Sequence, residues 1–114
     1  MVGYAALNVM EGITHTIQWY ELREKMAEGY QLIDVRMAVE RKSGFIQDSI
    51  NIPLDDLRSR LNELDPDRPY IVSCQAGLRS YIAERILRQH GFTVLNLDGA
   101  YGLYSVVRPE DIDQ

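Results

Sequence analysis

A chain of 114 residues, 46% hydrophobic and 25% charged, has the make-up of one globular domain: at this length roughly two thirds of the surface is buried around a single core, and a second core has no room. Twelve Lys and Arg against 17 Asp and Glu give a net charge of −5, a field that repels nucleic acid and anionic lipid, and no cluster of basic residues interrupts it. No apolar run approaches the roughly 20 residues that cross a bilayer, so neither nucleic acid nor membrane is expected as a partner.

In chain order, the first dozen residues, "MVGYAALNVMEG", read as a short helix over 1–13, set apart from an alternating body that starts near Thr14. "THTIQ" (14–18) is a weak strand candidate, and Trp19, Leu22 and Met26 carry helical spacing that stops at Gly29. "YQLIDV" (30–35) is too short for a helix and too apolar for a loop, so it reads as a buried strand. "SINI" (49–52) is a second weak strand candidate. Leu54, Leu57, Leu61 and Leu64 predict a helix, and Pro66 and Pro69 bracket a turn. The strand "YIVS" (70–73) follows, then a helix through Ile82, Ala83, Ile86 and Leu87 that stops at Gly91, then the strand "TVLNL" (93–97).

Strands alternating with helices predict an α/β fold, a mostly parallel sheet covered on both faces, with ligands bound beyond the carboxyl ends of the strands. Cys74 stands at such an end. It is the sole cysteine, which allows no internal disulfide, and no basic-then-apolar leader is present, so a reducing cytoplasm is the expected compartment. His15 and His90 lie far apart with no Cys or carboxylate at ligand spacing, so no metal is expected. His90 closes a helical pattern, where a cation suits the dipole.

A lone cysteine is most often an inert, buried small hydrophobe. Here it is followed by Gln75, Ala76, Gly77, Leu78, Arg79, Ser80 and an uninterrupted helical pattern. Gly77 lets the backbone curl, small Ala76 leaves the mouth open, and inward amides with the positive end of the helix make an anion nest. A thiolate held there has its pKa drawn below the free value of about 8.5. Arg79 adds a permanent charge and a two-pronged donor for a bound anion.

Four segments in order, "LIDVR" (32–36), "GFIQDSINIPL" (44–54), "CQAGLRS" (74–80) and "GFTVLNLDGAYG" (91–102), resemble the rhodanese family. The resemblance runs from about Thr14 to Tyr104, implying a rhodanese domain over 14–108 and a tail over 109–114. It implies a five-stranded, mostly parallel sheet and a catalytic Cys74 that carries sulfane sulfur as a persulfide from a small donor to a thiol acceptor. Gln75, Ala76, Gly77, Leu78, Arg79 and Ser80 match the persulfide-binding loop, with Arg79 counted as catalytic; Asp34 and Arg36 match a supporting pair. Phe45 departs from the usual His, and Gln47, Asp48 and Ser49 replace a commoner small-residue pattern.

Gln75, Gly77-Leu78-Arg79, Tyr81 and Gly99-Ala100-Tyr101 are similar to the rhodanese domain at the C-terminus of coenzyme A-disulfide reductases, departing at Ala100. That implies an intramolecular flavoprotein reductase partner, with residues 1–13 a remnant of a preceding dimerisation domain. FAD, NAD(P)H and coenzyme A would then belong to the rest of the parent, since no G-x-G-x-x-G follows a strand here. Two other readings stand: a thiol-dependent phosphatase or arsenate reductase, whose loop is one residue longer than the four between Cys74 and Arg79, and a non-catalytic binding module.

Overall fold

The computed structural model describes residues 16–75, 78–97 and 100–113. The expected helix over 1–13 lies outside them. The strands are β1 (Thr16–Ile17), β2 (Gln31–Asp34), β3 (Phe45–Ile46), β4 (Ile50–Asn51), β5 (Tyr70–Ser73), β6 (Val94–Leu97) and β7 (Ile112–Asp113); the helices are α1 (Leu22–Ala27), α2 (Leu78–Gln89) and α3 (Ala100–Val107).

Five strands make the expected sheet, in the order β1-β6-β5-β2-β4 with every pairing parallel. A parallel sheet is buried on both sides, which is why these strands read as continuous apolar runs. Successive residues point to opposite faces. Leu32 and Ile71 join Ile17, Leu22, Leu97 and Tyr104 under α1 and α3. Ile33 and Val72 join Leu57, Ala83, Leu87, Val94 and Cys74 under α2. Each fully buried Leu, Ile or Val here contributes about 1.5 to 3 kcal/mol.

Leu54 to Leu64 do not form the α-helix expected of them. They fold as two 3-10 turns, Leu54–Asp56 and Arg58–Glu63, with Leu57 N–H donating to Leu54 O and Leu64 N–H to Leu61 O. Spacings of three suit the tighter helix, and Asp56 and Ser59 favour turns, the Ser59 hydroxyl closing on Asp56 O at 2.9 Å.

Several elements have no counterpart in the sequence reading: 3-10 turns over Ala38–Ser43 and Pro109–Asp111, helix α3, and the antiparallel strands β3 and β7. Residues read as a tail are laid against the body. Gln47 N–H donates to Asp111 O at 2.8 Å, and Asp111 Oδ2 accepts from the Tyr104 hydroxyl at 2.6 Å and from Arg23 Nε at 3.2 Å. Burial and the bond to Asp111 push the Tyr104 phenol up to about 12.

Candidate active site

Cys74 leaves the carboxyl end of β5, the middle strand of the sheet, with 1% of its surface exposed. The first N–H groups of a helix have no partner within it. That of Ser80, the third residue of α2, donates to Cys74 Sγ at 3.3 Å, and the Ser80 hydroxyl donates to Asn96 Oδ1 on β6 at 2.9 Å. A twelve-residue helix thus aims its positive end at the sulfur, the arrangement that favours a thiolate. Ala76 and Gly77, and with them the centre of the expected nest, lie outside the described residues.

Helix α3 holds the cysteine's backbone from the other side. Tyr101 N–H donates to Cys74 O at 2.8 Å and Gly102 N–H to Gln75 O at 3.0 Å. The Gln75 side chain reaches across to Arg36, whose Nη1 donates to Gln75 Oε1 at 3.2 Å.

Arg36 is the hinge pin of this region and is 1% exposed. Its guanidinium binds Asp34 through Nε (3.1 and 3.2 Å) and Nη2 (3.0 Å), reaches Gly44 O at 2.7 Å, and lies 4.0 Å over the Tyr101 ring. Asp34 takes a second cation, Arg41 Nη1 at 3.2 Å, which also binds the Ser49 hydroxyl at 2.9 Å and covers the Phe45 ring at 4.0 Å. Phe45 and Ser49 therefore serve this chain as a platform and an acceptor for Arg41. The Tyr101 hydroxyl occupies the space a Cβ would need at Gly44.

Arg79 is placed differently from the expectation that its fork faces a bound anion. Nη1 and Nη2 close on Glu40 Oε1 and Oε2 at 2.6 and 2.9 Å. The Arg79 hydrogen bond holds the Glu40 carboxyl down at about 2, with Met37 N–H adding a second donor at 2.7 Å. In turn Arg79 is pushed above its ordinary range, first by the bond to Glu40 and further by attraction to Cys74 and Asp34. Around the pair, Met37, Val39 and Leu78 are 50%, 63% and 72% exposed.

Cys74, Gln75, Ser80, Asp34 and Arg36 are thus brought into one connected cluster, Arg79 joins it beside Glu40, and Leu78, the residue before Arg79, is exposed. The residues that the sequence did not point to are Glu40, Arg41, Asn96 and the N–H groups of Tyr101 and Gly102. Asn96, a polar residue inside an otherwise apolar strand run, was the one with a visible signal.

The chain matches the family model described as rhodanese-like domain over residues 18–105. It is 37% identical over 73 residues to a sulfurtransferase of Allochromatium vinosum, covering 63% of this chain and 68% of that one. Among solved structures, reduced Bacillus anthracis CoADR-RHD superposes with a TM-score of 0.87 at 47% identity, and an NAD-dependent persulfide reductase from A. fulgidus with 0.67 at 35%. The first covers 100% of this chain and the second 88%, yet the chain spans 20% and 17% of those proteins. With its five-stranded sheet, its sulfur-bearing strand end and this match over most of its length, the chain belongs to the rhodanese-like domain family.

Proposed function

We propose that this domain is a sulfur carrier: Cys74 accepts sulfane sulfur as a persulfide and passes it to a thiol or to a reductase centre. The observation that carries the reading is the Ser80 N–H on Cys74 Sγ at the start of α2. In the loading step the Cys74 thiolate attacks the outer sulfur of a donor R–S–S⁻, the donor S–S bond breaks, RS⁻ leaves, and Cys74–S–S⁻ remains. In unloading, an acceptor thiolate takes the outer sulfur and the Cys74 thiolate is regenerated. The α2 N-terminus stabilises the anion in both states.

Similarity to CoADR-RHD and to the persulfide reductase supports a place within a larger flavin-dependent coenzyme A-disulfide or persulfide reductase. The rest of that protein would hold FAD, NAD(P)H and coenzyme A, and residues 1–13 would descend from its dimerisation domain. Commitment of Arg79 to Glu40 speaks against a phosphatase or arsenate reductase, which needs that fork for an oxyanion.

The test is the intact mass of the domain after incubation with polysulfide or coenzyme A persulfide, with and without reductant. A reducible gain of one sulfur, absent from Cys74→Ser, is the expected result; no gain from any donor ends the carrier reading.

A further inference from the structure

Each described guanidinium of the site is already spent on a protein acceptor. Arg36 is turned onto Asp34, Gly44 O and Gln75, Arg41 onto Asp34 and Ser49, and Arg79 onto both oxygens of Glu40. The Arg79–Glu40 pair is half-buried, so an arriving ligand meets the carboxylate together with the guanidinium. Met37 and Val39, on the same turn as Glu40, and Leu78, beside Arg79, add exposed apolar surface.

Two kinds of sulfane donor differ in how they meet such a mouth. Thiosulfate is a compact dianion that leaves as sulfite, also a dianion: S₂O₃²⁻ + Cys74–S⁻ → SO₃²⁻ + Cys74–S–S⁻. To use Arg79 it must break a two-pronged, charge-assisted pair and then lie against the released carboxylate. An organic persulfide brings a single charge at the reacting sulfur and an organic body that the apolar rim can cover.

We propose that Glu40 is the specificity-determining residue of the Cys74 site: by neutralising Arg79 beneath the rim of Met37, Val39 and Leu78, it turns away dianionic inorganic donors and leaves sulfur carried on an organic thiol as the class accepted. Rejection of one donor by an unfavourable charge is a common route to specificity. This inference rests on the carrier reading and names the donor class for it.

Second-order rates of Cys74 persulfidation, read by intact mass with thiosulfate and with cysteine persulfide, whose net charge is single, test it in the unmodified domain, Glu40→Gln and Glu40→Asp. E40Q should raise the thiosulfate-to-persulfide rate ratio at least about tenfold, while E40D, which keeps the charge, stays within about threefold of the parent. A ratio unmoved in E40Q, or moved equally in E40D, overturns the assignment. If neither donor loads the unmodified domain, the carrier reading itself falls, and this one with it. Should E40Q fail to fold, the unmodified domain still decides: sulfate, an unreactive dianion, should leave alkylation of Cys74 by iodoacetamide unchanged, and protection at millimolar sulfate is the overturning result.

Discussion

Ser80 binds Cys74 through its backbone and Asn96 through its side chain, so one residue couples the reactive sulfur to the neighbouring strand β6. The hydroxyl bond fixes the first turn of α2 and with it the direction of the N–H aimed at Sγ. Asn96→Leu removes the acceptor at nearly constant volume. A hydrogen bond of this kind contributes about 1 kcal/mol, so alkylation of Cys74 by iodoacetamide at neutral pH should slow about fivefold while the far-ultraviolet circular dichroism is kept. An unchanged rate would mean that α2 is held without Asn96.

Strand positions were legible because β2, β5 and β6 are short, apolar and bounded by turn residues, and Cys74 was legible because it ends one of them. The rest depends on contacts distant in sequence. Arg79 and Glu40 are 39 positions apart, and nothing in "VERKS" marks its Glu as the partner. Tyr101 and Gly102 act through backbone N–H groups, which every non-proline residue has. Helix α3 is not legible in the sequence because "AYGLYSVV" is poor in strong helix formers. Its glycine has a structural reason: a Cβ at Gly102 would stand 2.8 Å from Gln75 O, the acceptor of its own N–H.

Asp34 sits between two guanidinium groups, those of Arg36 and Arg41, and is itself buried. Removing one member of a buried charged cluster leaves the others desolvated and unpaired, at a cost of about 3 to 5 kcal/mol. Asp34→Ala should lower the urea midpoint accordingly, whereas Asp48→Asn, which suits the left-handed backbone there (φ +69°) and leaves Arg23 its bond to Asp111, should lower it little. Equal small effects would show that Arg36 is not dependent on Asp34.

The Tyr101 hydroxyl fills the space beside Gly44, and Gly44 has φ +139°, a conformation that side chains disfavour. Gly44→Ala should therefore cost about 2 kcal/mol, combining backbone strain with overpacking. Tyr101→Phe removes the clashing oxygen but keeps the ring under Arg36, so the double variant should recover part of that loss. Strictly additive effects in urea denaturation would show the two positions to be independent, against the contact described.

Glu40 titrates at about 2, below the 4.5 of an unperturbed Glu, because Arg79 hydrogen-bonds its charged form. A carboxylate whose folded pKa is depressed stabilises the fold above its unfolded pKa, and loses that contribution as pH falls through the folded value. The window is therefore from pH 4.5 down to 2. Since the pair touches solvent, its contribution at neutral pH is about 1 kcal/mol, the upper end for such pairs. Glu40→Gln should be less stable than the parent by that amount at pH 7, and the two should converge as the pH approaches 2. Parallel denaturation curves across the window, with a constant gap, would assign the loss to packing and not to the charge of Glu40.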